Sequence, residues 1–84
     1  MPKNIVYKIA FVEWSSNDDF GIVYYKKTFR RMMSAIKYVD RHRKKLLKRE
    51  EKYLPELIAV DVYVECWNGD SCEGAVYQIC LWEK

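Results

Sequence analysis

One segment with helical spacing lies between two pairs of segments with strand spacing, and this limits what the chain can fold into more than any other feature. In "NIVYKIAFVEW" the residues Ile5, Tyr7, Ile9 and Phe11 point to one side, with Val6, Lys8, Ala10, Val12 and Trp14 on the other. The turn formers of "SSNDDFG" follow, and "IVYYKKT" resumes the alternation, with Ile22 and Tyr24 on one face and Val23 and Tyr25 on the other. That is a hairpin with a longish loop. Thr28 is the expected N-cap of a helix spanning Phe29 to Tyr53, and Pro55 ends it by disfavouring α geometry at Leu54. "ELIAVDVYVECW" then places Ile58, Val60, Val62, Val64 and Cys66 in an inner row, leaving Leu57, Ala59, Asp61, Tyr63, Glu65 and Trp67 outward. Asn68-Gly69 marks a second hairpin, with a loop expected to exceed two residues, before "AVYQICLW" closes the chain. The two rows of that last strand are too alike to orient.

The order ββαββ predicts an α+β fold in one domain, residues 1–84: a four-stranded, largely antiparallel sheet with one long basic helix packed on one face. Placed on a wheel, Phe29, Met32, Met33, Ile36, Val39 and Leu47 form the stripe that covers the sheet, with Leu46 at its margin. One helix covers one face only. The other should carry Val12, Trp14, Tyr63 and Trp67, with Tyr25 and Trp82 as further candidates, among Lys8, Asp61 and Glu65. So aromatic a surface invites a second body, and Trp14, Tyr63 and Trp67 are the candidate dimer or partner face.

Charge is sharply segregated. Residues 26–52 hold twelve Lys and Arg against three acids, a net +9, whereas the remainder is −6. Within the helix the charges oppose the dipole, because Arg30 and Arg31 crowd its positive end and Glu50 and Glu51 sit near its negative end. Local stability is sacrificed there while positive potential is concentrated. Lys26, Lys27, Arg30, Arg31, Lys37, Arg41, Lys44, Lys45, Lys48 and Arg49 are therefore the candidate contacts to nucleic acid or another polyanion, with Tyr38 among them as a stacking candidate. Asp40 and Arg43, three apart, are expected to pair where the helix overhangs the sheet, so that the segment beyond His42 projects past the core.

Candidate chemistry is thin. The single histidine, His42, lies between two arginines with no obvious acid partner nearby in sequence, and spacing gives no support for a cysteine meeting it. Cys66, Cys72 and Cys80 lack the close pair of a zinc site, and Cys66 and Cys80 read as small core residues. The acids Asp18-Asp19 and Asp70 with Glu73 fall in hairpin tips expected at opposite ends of the sheet, too dispersed to hold magnesium. No catalytic residue, metal or cofactor is expected. Odd, sparse cysteines and the lack of a long apolar run or signal-like start predict a soluble, cytoplasmic protein.

Two functions fit these observations. The first is a small non-enzymatic binding module whose basic helix face contacts nucleic acid, with dimerisation through the open sheet face. The second is a small inhibitor or adaptor, of the kind phages and mobile elements encode, that docks on a nucleic-acid-handling protein and blocks it. Both use the same cations.

Overall fold

The computed structural model describes residues 4–16 and 19–84. It is an α+β structure with four strands, β1 (Ile5–Ser15), β2 (Phe20–Phe29), β3 (Leu57–Asn68) and β4 (Ser71–Glu83), and two helices between β2 and β3. The strands form a single antiparallel sheet in the order β2-β1-β3-β4. Long β-branched and aromatic alternation makes β1 and β3 the two central strands, and they pair along almost their whole length, from Ile5 opposite Asn68 to Ser15 opposite Leu57. Asn68 faces Ser71, so the β3–β4 loop contains only Gly69 and Asp70 and is tighter than the sequence suggests. Gly69 makes this possible with φ +59°, a conformation that a side chain would strain.

The single long helix is replaced by two shorter ones, α1 (Met32–Arg41) and α2 (Arg43–Glu50). They are separated at His42, whose backbone leaves helical geometry at φ −117° and ψ 27°. No proline or glycine marks the break. The helix also starts later than expected. Thr28 is not a cap: it pairs with Lys8 inside β2, and the N-cap position is Arg31, which makes no side-chain capping bond. A short 3₁₀ turn, Leu54–Glu56, contains Pro55 and leads into β3.

The segment after His42 does not project past the core. Leu46 and Glu50 are completely buried, so α2 lies against the sheet. The core is one cluster of Ile9, Phe11, Tyr25, Ala35, Val39, Leu46, Leu57, Val60, Val62 and Val64. Burying each larger member contributes about 1.5–3 kcal/mol, which offsets the cost of ordering so short a chain. Tyr25 belongs to this cluster, and Trp82 packs against it, so neither joins the open face. Met32 and Met33 are exposed, contrary to the helical stripe inferred from sequence, while Ala35 takes the central buried position. Likewise Leu57 is buried and Ile58 exposed, because the register against β1 shifts between Trp14 and Ser15.

β4 carries three such irregularities against β3, which leave Glu73, Val76 and Leu81 without direct partners. Each bulge adds local twist. One of them turns the strand so that Leu81 and Trp82 both pack against the core beside Tyr77 and Ile79, which settles the orientation of the last strand.

Candidate polyanion interface

The basic residues enter the structure along the seam between β2 and the helices. Between the pairs Lys8–Thr28 and Ala10–Tyr24 the edge strand bulges, and Tyr25, Lys26 and Lys27 occupy the bulge. Such a bulge re-aims side chains. Tyr25 turns into the core, Lys26 is exposed, and the Lys27 ammonium lies over the ring of Tyr38 at 4.9 Å and that of Phe29 at 5.5 Å. Arg30 and Arg31 follow in the exposed bend that opens α1, where unsatisfied backbone amides add to their charge.

On the helices, Lys37 and Arg41 are one turn apart on α1, and Lys44 and Lys48 one turn apart on α2; all four are exposed. Among the described residues only two ion pairs form within 4 Å. Arg43 meets Asp40 at 3.3 Å, as its spacing predicts, and Arg49 meets Glu50 at 2.9 Å. Lys26, Lys27, Arg30, Arg31, Lys37, Arg41, Lys44, Lys45 and Lys48 therefore contact no described carboxylate. Asp40 is occupied twice over. Tyr77 donates its hydroxyl to the carboxylate and Arg43 adds its charge, and together they hold Asp40 below its ordinary range.

Arg49 is fixed differently. It is half-buried, its guanidinium lies 4.7 Å from the centre of Phe11 and 5.9 Å from that of Tyr25, and its charge is met by Glu50. Glu50 in turn lies beside Glu13. Burial first, and then the neighbouring Glu13 carboxyl, push Glu50 up to about 7 despite the opposing Arg49. Two buried oxygens, Glu13 Oε2 and Glu50 Oε1, have no hydrogen-bond partner among the described residues. As carboxylates both are acceptors only, so a proton on one of them supplies the missing donor.

Beside Arg49, a cavity of about 370 Å³ opens between β2 and α2, lined by Tyr24, Tyr25, Lys26, Lys45 and Arg49. The Tyr25 and Tyr38 hydroxyls meet at 3.1 Å. That bond, with Lys45 and Lys27 close by, pulls Tyr38 below the ordinary tyrosine range, whereas Tyr25 is raised by the same bond and by burial. Tyr38 is thus not a free stacking platform. Its ring is engaged by Phe29 at 5.3 Å, Tyr25 at 6.0 Å and His42 at 4.3 Å. Tyr25 was not legible as a wall of this site, because the bulge that turns it leaves no mark in an alternating run.

Among the described residues no helix covers the opposite face of the sheet. Trp14, Tyr63 and Trp67 all lie on it, half-buried, in register with Ala59, Ala10 and Val6. Phe20, Ile22 and Tyr24, opposite Trp14, Val12 and Ala10, extend it; following the alternation back from Tyr24 would have found them. Its polar groups are mutually engaged. Trp14 donates to Asp61 at 3.1 Å, and Tyr24 and Trp67 both donate to Glu65 Oε1, at 2.9 and 3.1 Å. Lys8 sits over Trp67 at 4.1 Å. Tyr24 is pushed up to about 12 by burial and by this bond to Glu65.

Cys66 is half-buried, but Cys80 is exposed opposite Asp61 on the open face and Cys72 is exposed opposite Trp67, so Cys80 is not a core residue. All three thiols are free. Asp19 lies at the end of the sheet remote from Asp70, as the antiparallel pairing of β1 and β3 requires; Asp18 falls outside the described residues. Among the described residues no three of His, Cys, Asp and Glu gather as a metal ion would need. No helix among them is long and apolar enough to cross a membrane. No family model, curated protein or solved structure matches the chain.

Proposed function

We propose that this chain is a small non-enzymatic binding module whose basic helical layer contacts the phosphates of nucleic acid. One observation carries the reading: the cations of β2, α1 and α2 meet no described carboxylate, apart from Arg43 and Arg49. A protein that only needed solubility would intersperse acids among them. Leaving like charges together costs self-repulsion, which a polyanion removes while releasing its counterions. Binding is expected to tolerate sequence and to weaken steeply with salt. Titrating generic duplex and single strands at several salt concentrations tests this. Replacing Lys37, Lys44 and Lys48 with alanine should flatten the dependence of log K on log salt by about 2 to 3. No binding at low salt would end the proposal.

A second reading rests on a different observation, the ordered aromatic face of the sheet. It favours a protein that docks on a nucleic-acid-handling partner and blocks it, as inhibitors from phages or mobile elements do. A stoichiometric protein partner that survives nuclease treatment would support that reading over the first.

A further inference from the structure

We propose that the cavity between β2 and α2 binds a phosphomonoester, the doubly charged terminal phosphate of a nucleotide, rather than the singly charged diester of a strand's interior. The inference rests on the basic layer being a nucleic-acid contact but assigns this part of it a distinct ligand. Three cations, Lys26, Lys45 and Arg49, line one concavity. Of these only Arg49 has a carboxylate, Glu50, and that acid is buried behind it. Gathering three positive groups round a single space is costly, and an internal phosphate with one negative charge cancels little of it. A terminal phosphate carries about −1.5 to −2 at neutral pH and offers three acceptor oxygens.

The site is also preorganised. Arg49 is held over Phe11 and Tyr25 and by Glu50, so little side-chain freedom is lost when it meets an anion. The Tyr25 wall is fixed in the same way, its hydroxyl held 3.1 Å from that of Tyr38 and its ring packed in the core. A volume of about 370 Å³ exceeds what a phosphate alone requires and falls in the range of small-ligand sites, which leaves room for the attached sugar or base against the tyrosines.

The test compares three probes by fluorescence anisotropy and competition at low salt: a single strand with a terminal phosphate, the same strand with free hydroxyl ends, and adenosine monophosphate. Wild type should prefer the phosphorylated strand by about tenfold, the effect of a few charge-assisted bonds. The double variant Lys26→Ala with Lys45→Ala, both exposed positions, should lose that preference and keep its circular dichroism spectrum. Lys37→Ala with Lys44→Ala should weaken both strands equally. Competition by the free mononucleotide would identify free nucleotides as ligands, and its absence beside a retained strand preference would assign the site to strand ends. Equal affinity for both strands in wild type with no mononucleotide binding, or a preference that survives in the Lys26 and Lys45 variant, would overturn the proposal. If neither strand binds while the mononucleotide does, the backbone-contact reading fails and this one stands; if no probe binds, both fail.

Discussion

The two faces of the sheet handle charge in opposite ways. On the open face the charged groups Asp61, Glu65 and Lys8 are each matched to an aromatic side chain, so the surface is polar yet internally satisfied. On the helix-covered face the outer cations other than Arg43 meet no described carboxylate, and two acids that reach inward, Glu50 and Glu13, lie against each other. Similar residue types therefore produce a settled surface on one side and a frustrated layer on the other. Natural chains place such local conflict where function requires it.

Dislodging the helical layer should give the largest effect. Leu46 is fully buried and anchors α2, so Leu46→Ala is expected to destabilise by about 2–5 kcal/mol, read by urea unfolding. If the two faces are as independent as their bonding suggests, Trp14 and Trp67 should keep native-like emission until the global transition. An early tryptophan transition would show that they are coupled.

The buried acids come next. Unfolded, Glu50 ionises near the ordinary value of 4.5, whereas folded it keeps its proton until about pH 7. Between those values the folded state binds more protons, so the stabilisation present below pH 4.5 is lost as pH rises through 7. Wild type should be less stable at pH 8 than at pH 5. Glu50→Gln should remove much of that slope and gain about 2 kcal/mol at pH 8, with little change at pH 4. An unchanged slope in the variant would move the frustration elsewhere.

The smallest effect belongs to the settled face. Glu65→Gln keeps one acceptor but removes the charge that Tyr24 and Trp67 share, and should cost about 1 kcal/mol or less. Tyr24 should then titrate below about 12, because the Glu65 contribution is gone while burial remains. Ultraviolet absorbance of the phenolate reads this directly.

Strand pattern was the legible part of the molecule. Ile9 and Phe11 of β1 and the Val60, Val62, Val64 row of β3 bury as their alternation predicts, since a period of two leaves only two choices of face. Helix phase was harder to read. The buried line runs through Ala35, Val39, Leu46 and Glu50, which fall within about 60° of arc on a continuous helical wheel. Its members include a small residue and an acid, while the larger apolar Met32 and Met33 are exposed. Any reading weighted by hydrophobicity is drawn toward the methionines. The basic residues of the candidate site were visible as composition, but their convergence on a cavity depends on the β2 bulge, which two adjacent lysines do not announce.

The three interruptions in β4 bear on how this molecule can grow. A long outer strand with a continuous row of free amides and carbonyls would act as a template for another chain, layer upon layer. Here no neighbour could keep step with it past a few residues before losing its place. Along this margin, a polymer built edge to edge has no rung to climb.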